Sequence, residues 1–324
     1  MNALRVSIII PTYGREAILC QTLQYVLEQD RPADEILVID QTPRHEPETE
    51  AFLHHLVAAG KIRLVPQGAP SASRARNRGI LEATGDVLIF IDDDVAVERD
   101  FVRAHLENYR DETIAAVAGA IWSERGVPLP PVRQRPAPAR RGPLSWMDVP
   151  PNLAFRTEKI LLPAGNCSVR RAVALRVGGF DENYGRYDYH ADYDFGWRIH
   201  RAGGKIIHDP RAGIHHLVAP RGGCRVERAH RRIPEVEELR PKFYFYAKHF
   251  PTPHSLIPIY RLLRQHVINR ANVLDPPSLL VAFGRALVAL GKAVYDARII
   301  GERSLVRDVT RTTVCRSDGL KVSP

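Results

Sequence analysis

Three consecutive carboxylates, Asp92, Asp93 and Asp94, directly follow the apolar run at residues 87–91. Like charges this close raise one another's pKa unless a positive group lies among them, and a divalent cation removes that conflict. Because successive side chains of an extended segment alternate in direction, Asp92 and Asp94 point the same way and Asp93 points the opposite way. Hard oxygen ligands favour Mg2+ or Mn2+, which commonly bind together with substrate phosphates. The triplet therefore predicts a metal site with Asp92 and Asp94 as ligands, and Asp92 could instead contact a ribose.

A second acidic centre, Asp192 and Asp194, follows a hundred residues later at the start of a predicted helix. A carboxylate separate from the metal site can act as a general base. Asp194 has an alternative role, because an aspartate in the first helical turn can cap the helix or bond its backbone.

Four β-rich runs alternate with helix-like stretches and predict the elements that position these groups: residues 6–10, 35–39, 62–65 and 87–91. This alternation is typical of an α/β fold with a mostly parallel sheet covered by helices on both faces. Apolar residues recur at helical spacing over 18–27 and predict a crossover helix. Polar residues follow three of the strands, namely Pro11-Thr12-Tyr13, Asp40 and the acidic triplet. Ligands bind at this edge of such sheets, so we expect a site assembled from separate segments.

The composition changes to proline and arginine over residues 123–151, which predicts an extended loop, either a solvated connector or an acceptor-binding insertion. Beyond it, the patterns predict helices over 171–177 and from residue 191, followed by helix-like sequence over 253–300. Within 278–295, Arg285 and Lys292 lie seven residues apart on one apolar helix, which could pack on its own domain or lie in a membrane interface.

Bulk properties narrow the class of protein. The chain has 324 residues and a net charge of +9, which suits a polyanionic partner, but no nucleic-acid-binding motif is evident and no nucleic acid is expected. Its four cysteines are scattered without a CxxC pair, which argues against a structural zinc site and a disulfide framework. We expect a cytoplasmic protein without a secretion signal or a membrane-spanning stretch, with peripheral contact at the inner face of the membrane as an option.

Five segments occur in an order that resembles family 2 glycosyltransferases, which are enzymes of the GT-A fold. The segment SASRARNRGILEATGDVLIFIDDDV resembles the stretch leading into that family's metal site. The others are SIIIPTYGR for the first strand and nucleotide-contacting turn, EILVIDQT for the second strand, GNCSVRRAVALRVGGFDENY for the acceptor side, and ADYDFGWRIHRAGGKIIHDPRAGIHH for the base and a late histidine. The resemblance covers residues 6–216, and its strength lies in the ordered set.

The resemblance implies roles for individual donor-site residues. Those expected to contact the nucleotide are Pro11, Thr12, Tyr13 and Asp40 at the nucleoside, Arg74 and Asn77 at the diphosphate or ribose, and Asp92 and Asp93 beside the metal. His216 is similar to the histidine that completes the metal shell in many GT-A enzymes, although neighbouring His215 leaves the register open.

On the acceptor side, Asp192 matches the catalytic aspartate of the family's usual Glu-Asp pair, and Ala191 stands where the glutamate is normal. The missing charge changes how Asp192 is tuned, and His190 could partly substitute for it. The resemblance implies an inverting, metal-assisted transferase that moves a sugar from a UDP-, GDP- or dTDP-linked donor to a saccharide or lipid-linked acceptor in cell-envelope polysaccharide or glycolipid synthesis.

The implied organisation is a GT-A domain at residues 1–220 and a mainly helical extension at 221–324. The domain comprises a nucleotide-sugar half over 1–122, the loop over 123–151 and an acceptor half over 152–220. Two alternatives remain: a metal-dependent phosphohydrolase, and a non-catalytic polyanion-binding protein. A haloacid dehalogenase-type phosphohydrolase needs an aspartate just after the first strand, where this chain has Pro11-Thr12-Tyr13.

Overall fold

The computed structural model describes residues 4–124, 126–135, 137, 142–219, 221–223, 233–250, 256–303 and 305. A ten-stranded mixed sheet forms the centre of the fold. Its strands are β1 (Val6–Thr12), β2 (Glu35–Asp40), β3 (Arg63–Pro66), β4 (Val87–Ile91), β5 (Val95–Val97), β6 (Ile114–Glu124), β7 (Val127–Pro128), β8 (Thr157–Glu158), β9 (Asn166–Arg170) and β10 (Lys205–His216). The four strands predicted from the sequence are β1 to β4, and β4 has the predicted bounds.

Helices cover both faces of the sheet and form the C-terminal part. They are α1 (Ala17–Leu27), α2 (Pro47–Ala58), α3 (Ala72–Glu82), α4 (Phe101–Asn108), α5 (Arg171–Arg176), α6 (Ala191–Arg201), α7 (Val236–His249), α8 (Leu256–His266), α9 (Arg270–Val273) and α10 (Pro276–Tyr295). The predicted α/β fold with a helical C-terminal extension is confirmed.

The sheet order is β3-β2-β1-β4-β9-β6-β10-β5, with β7 beside β6 and β8 beside β10. The first four strands are parallel, so their carboxyl ends meet at one edge. The strand β9 is antiparallel to both β4 and β6, whereas β6 and β10 are parallel. The short strand β5 directly follows the acidic triplet and pairs antiparallel with the end of β10.

Alternating side chains of the strands form separate cores on the two faces of the sheet. Ile8 and Ile10 pack in one cluster with Leu19 of α1, whereas Ile9 packs in the other with Ile80 of α3. Because both faces are covered by helices, β1 and β4 carry continuous apolar runs rather than an apolar-polar alternation.

The segment at 123–151 differs from the predicted extended loop at both of its ends. Residues 123 and 124 extend β6, and β7 pairs back onto it. Gly142–Asp148 forms a 3-10 helix whose Leu144 and Met147 are buried in a third core cluster with α7 and α10. Apolar burial against these helices orders the second end, despite the surrounding prolines and arginines. Residues 125, 136 and 138–141 lie outside the described residues.

One helix has the length and composition of a membrane span, although the sequence analysis expected no such stretch. The last long helix runs on past α10 as a π-helical turn, and Pro276–Ile300 is long and apolar enough to cross a membrane by these two criteria alone. Arg285 and Lys292 lie inside this 25-residue stretch.

Candidate functional site

The turns after β1 and β2 lie against each other at the carboxyl edge of the sheet. The Gln41 backbone N–H donates to the Thr12 carbonyl at 3.0 Å, and the Gly14 N–H donates to the Thr42 hydroxyl at 3.0 Å. Pro11 and Tyr13 are partly buried, and Thr12 is buried. The structure therefore brings the first predicted nucleoside-contacting segment next to the second.

Asp40 lies at the end of β2, and both of its carboxylate oxygens have partners. One accepts the Thr42 backbone N–H at 2.9 Å, and the other lies 3.0 Å from the Nε2 atom of His45. The other ring nitrogen of His45 lies 3.2 Å from the Glu16 carboxylate. Asp40 is thus held at the predicted edge by a histidine that the sequence analysis did not single out.

The side chains of the acidic triplet point in two directions, as the alternation along an extended segment predicts. Asp93 has a buried carboxylate that faces the Arg15 guanidinium, with 3.2 Å between Asp93 Oδ1 and Arg15 Nε. Burial raises the pKa of Asp93 to about 7, with Asp94 and Asp92 adding to the rise and Arg15 opposing it. The Asp93 carboxylate is therefore turned into the protein toward Arg15, and a contact between Asp93 and the donor stays a prediction.

Asp92 and Asp94 converge with His216 at the end of β10. Each of the three offers a ligand atom, and these atoms lie within 4.8 Å of one another. The Nδ1 atom of His216 lies 3.4 Å from Asp94 Oδ1. Burial lowers the pKa of His216, but its hydrogen bond to Asp94 and the charges of Asp92 and Asp94 outweigh burial and raise it. Two carboxylates and an imidazole within this span fit a divalent cation.

Backbone pairing decides between the two adjacent histidines. His216 pairs with Val95 and His215 with Ala96, and the Leu217 N–H donates to the Asp94 carbonyl at 2.7 Å. This register turns His216 toward Asp94 and leaves His215 exposed.

Gly165 makes room for the Asp92 carboxylate. A Cβ atom at Gly165 would lie 2.3 Å from Asp92 Oδ2, so no larger residue fits unless Asp92 moves. The Asp92 backbone N–H also donates to the Gly165 carbonyl at 3.2 Å. The loop before β9 therefore sets the position of a candidate metal ligand.

Arg76 connects the metal carboxylates to the second acidic centre. Its guanidinium is buried, 2.8 Å from Asp188 Oδ2 and 3.4 Å from Asp92 Oδ1. Burial lowers the pKa of Arg76, but the charges of Asp188, Asp92 and Asp192 outweigh it and raise that pKa. Asp92 and Asp192 thus act on one buried cation. Asp188 also accepts a hydrogen bond from the Ser73 hydroxyl.

Three of these residues were not predicted from the sequence: Arg76, Asp188 and Arg15. Ser73, Arg76 and Ile80 follow helical spacing and share the buried face of α3, a signal that could have identified Arg76. Asp188 carries no comparable signal, because it reaches Arg76 from 112 residues away in the sequence.

Arg74 and Asn77, which are predicted to contact the donor, both have partners after α5 in the structure. The Asn77 amide donates to the Phe180 carbonyl at 2.8 Å and accepts the Phe180 N–H at 2.7 Å. Arg74 is half exposed and contacts Glu182 at 3.4 Å. The helical turn directs Arg74 outward and Asn77 to the segment after α5, whereas Arg76 faces Asp92 and Asp188.

Asp192 lies in the first turn of α6, partly buried, where its carboxylate accepts the Tyr193 N–H at 2.9 Å. The preceding His190 has a left-handed backbone with φ of 65°, and Ala191 is fully buried. The position that carries glutamate in the family is therefore apolar and closed in this chain.

Asp194 does not cap the helix. Its fully buried carboxylate accepts hydrogen bonds from Arg198 at 2.7 Å and from Lys248 of α7 at 2.7 Å, and it lies 2.6 Å from the ring of His249. Lys248 also contacts Asp181 at 2.8 Å. This buried ion network fixes α6 to the C-terminal helices.

Arg15 holds the segment after β10 on the turn after β1. It contacts Asp94 at 2.9 Å and donates to the Arg221 carbonyl, while the Gly223 N–H donates to the Tyr13 carbonyl at 2.7 Å. The chain that supplies His216 thus continues across the predicted nucleoside-binding turn.

The fold and this pair of acidic centres define an α/β protein with a candidate metal site at the carboxyl edge of its parallel strands. The sequence model of Glycosyl transferase family 2 matches residues 7–178. The chain belongs to this family, as the sequence resemblance predicted.

Curated relatives agree with that assignment, and a solved structure has a similar fold. The chain is 31% identical over 154 residues to the pre-mycofactocin glycosyltransferase of Mycobacterium tuberculosis, which covers 44% of this chain and 29% of that relative. It is 26% identical over 228 residues to the glucosyl-dolichyl phosphate glucuronosyltransferase of Haloferax volcanii, which covers 66% and 69%. The mannosyltransferase PcManGT from Pyrobaculum calidifontis, solved with GDP-Man and Mn2+, superposes with a TM-score of 0.54 at 19% identity, covering 98% of this chain and 81% of that one.

Proposed function

We propose that the protein transfers a sugar from a nucleotide-diphosphate donor to an acceptor hydroxyl with inversion at the anomeric carbon. One observation carries the proposal: the ligand atoms of Asp92, Asp94 and His216 lie together at the carboxyl edge of the parallel strands. At that edge an open α/β sheet binds its ligand, and a divalent cation there pairs with a diphosphate.

Asp92, Asp94 and His216 would hold Mn2+ or Mg2+, and the imidazole nitrogen favours Mn2+ because Mg2+ prefers oxygen ligands. When bound, the ion offsets the negative charge of the diphosphate leaving group. Pro11, Thr12, Tyr13 and Asp40 would border the nucleoside.

Asp192 takes the proton from the acceptor hydroxyl as that oxygen attacks the anomeric carbon and the bond to the diphosphate breaks. Arg76 places a fixed positive charge between Asp92 and Asp188, close enough to Asp192 to act on it electrostatically. Arg15 adds a second positive charge beside Asp94. Preorganised charges of this kind stabilise the charge that develops in a transition state.

The donor base and the acceptor are narrower proposals. UDP-, GDP- and dTDP-sugars are the candidate donors, and a saccharide or a lipid-linked saccharide is the candidate acceptor for cell-envelope synthesis. The Haloferax volcanii relative, named for a dolichyl phosphate-linked acceptor, supports the lipid-linked option. We propose a cytoplasmic location for the reaction. We also propose that residues 1–220 form the catalytic domain and 221–324 a helical extension, since all ten strands that the structure describes lie within residues 1–220.

The test is a donor-hydrolysis screen over UDP-, GDP- and dTDP-sugars with Mn2+ or Mg2+. Asp94→Ala should weaken metal-dependent donor binding, and Asp192→Ala should mainly lower turnover with an acceptor, because Asp192 acts on the acceptor proton. Glu112→Ala, an exposed carboxylate in the turn before β6, is the matched control.

Equal turnover by Asp94→Ala, Asp192→Ala and Glu112→Ala would refute the assigned site. A product that keeps the anomeric configuration of the donor would refute single displacement. Hydrolysis of simple phosphate monoesters without any nucleotide-sugar dependence would support a phosphohydrolase instead.

A further inference from the structure

The C-terminal helices expose most of the large apolar side chains that face solvent in the described part of the chain. Outside residues 256–299 only four such side chains are exposed: Val57, Leu81, Val127 and Val218. We call the exposed set within 256–299 the C-terminal apolar surface. It comprises Leu256, Ile257, Tyr260, Ile268, Val273, Leu274, Leu280, Val281, Phe283, Leu287, Val288, Val294, Tyr295 and Ile299.

The helix α10 has two distinct faces. Its buried face consists of alanines at helical spacing, which pack in the core cluster shared with α7: Ala282, Ala286, Ala289 and Ala293. The larger side chains Leu280, Leu287 and Val294 recur every seven residues and point away from that core, with Leu280 74% and Leu287 57% exposed. A helix that used its larger apolar side chains for packing would bury the leucines and the valine and expose the alanines. The outer face therefore has an apolar character that the fold itself does not use.

Positive charge accompanies this surface. Residues 256–300 contain the cations Arg261, Arg264, Arg270, Arg285, Lys292 and Arg298, but only two acids, Asp275 and Asp296. Both acids have partners within the fold, since Asp275 accepts the Ser278 hydroxyl at 2.7 Å and Asp296 pairs with Arg240 at 2.6 Å.

Five of these cations are exposed: Arg261, Arg264, Arg270, Lys292 and Arg298. Among the residues that the structure describes, none forms an ion pair with Arg264, Arg270 or Arg298. On α8, Ile257, Tyr260 and Arg264 share one exposed helical face. Exposed apolar and cationic side chains thus occur side by side.

We propose that the C-terminal apolar surface docks the protein onto a bilayer that contains anionic phospholipid. Apolar side chains enter the acyl boundary, and the arginines meet the phosphate headgroups. Two exposed tyrosines, Tyr260 and Tyr295, suit the headgroup level, where tyrosine is enriched.

A second copy of the chain fits this surface less well than a bilayer does. A two-fold contact places the same patch against itself, so the exposed arginines of both copies would face one another without acidic counterparts. An anionic lipid surface supplies the missing negative charge over the whole patch.

Vesicle flotation of the full chain tests the proposal, with phosphatidylcholine vesicles compared with vesicles that also contain phosphatidylglycerol. We expect flotation with the anionic vesicles and a loss of at least about tenfold in partitioning for the double variant Leu280→Glu/Leu287→Glu. The matched control is Val57→Glu/Leu81→Glu, which adds two acids at exposed apolar sites of α2 and α3 and should float like the wild type. The triple variant Arg264→Gln/Arg270→Gln/Arg298→Gln should lose the preference for anionic lipid.

Several results would overturn the proposal. These are no flotation of the wild type, equal losses in the α10 variant and its control, or equal binding to both kinds of vesicle. A dimer in light scattering that Leu280→Glu/Leu287→Glu dissociates, without vesicle binding, would show that a second copy covers the surface. Retention in the membrane after alkaline carbonate extraction would show that Pro276–Ile300 spans the bilayer instead. Donor hydrolysis in solution is scored separately, so the proposed transfer can fail without affecting this test.

Discussion

Replacing Asp194 with asparagine tests whether the buried ion network holds the catalytic helix in place. The substitution keeps the shape of the side chain but removes the charge that faces Arg198, Lys248 and His249. Removing one member of a buried ion pair costs about 3–5 kcal/mol, because the remaining charge stays buried without its partner. Asp181 still contacts Lys248, so partial compensation places the expected loss near the lower end of that range, at about 3 kcal/mol.

Urea unfolding followed by tryptophan fluorescence measures this loss, since Trp197 lies on the same helix. The control is Asp100→Asn, which removes an exposed aspartate from a surface pair with Arg103 at 3.7 Å and should cost less than about 1 kcal/mol. A loss at Asp194 no larger than that of the control would refute the reasoning.

The pH dependence gives an independent check. Burial raises the pKa of Asp194, but Arg198, Lys248 and His249 outweigh burial and hold that pKa well below its usual value. A depressed carboxylate pKa contributes stability above the unfolded-state pKa of about 3.9, and this stability is lost as the pH falls through the folded-state pKa. The difference between wild type and Asp194→Asn should therefore stay constant from pH 7 to about pH 5 and then shrink by up to about 1.4 kcal/mol per pH unit below about pH 4. A difference that does not change down to pH 3 would contradict this assignment.

Two further predictions concern the metal carboxylates and the buried guanidinium. Gly165→Ala should weaken Mn2+ binding about tenfold or more in calorimetric titration, because the new Cβ would displace the Asp92 carboxylate. The control is Gly68→Ala, which should bind Mn2+ like the wild type because the space around Gly68 is open. Arg76→Met should lower the free energy of unfolding by about 3–5 kcal/mol, because Asp188 would stay buried without its cation, and a loss below about 1 kcal/mol in chemical denaturation would contradict that role.

The parallel half of the fold could be predicted because its strands carry strong local signals. Val87–Ile91 is fully buried on both faces and reads as an uninterrupted apolar run. The strand β10 gives no such signal, since Asp209, Pro210 and Gly213 interrupt it. These residues lie where the pairing of β10 with β6 shifts register, so the neighbouring strands, rather than local preference, keep this segment extended.

The residues of the candidate site also differ in how far the sequence can predict them. Asp92, Asp94 and Asp192 could be predicted, because each carboxylate stands beside a recognisable strand or helix. Helical spacing places Arg76 on the buried face of α3 but does not identify Asp188 as its partner. Arg15 could not be predicted, because its partners come from distant segments that only the folded chain brings together. The same spacing places Arg74, the arginine predicted to contact the donor, off the buried face of α3.

The pairing of β5 with β10 has a thermodynamic consequence for the metal. The Leu217 N–H donates to the Asp94 carbonyl, and His216 pairs with Val95, so an ion bound here would meet ligands whose main chain is already ordered. Ordering one backbone residue costs about 1–2 kcal/mol, and folding meets that cost before the ion arrives. Ion binding and strand pairing are linked if the ion binds only when β5 and β10 are paired. The free energy by which pairing favours ion binding then equals the free energy by which the bound ion stabilises the pairing.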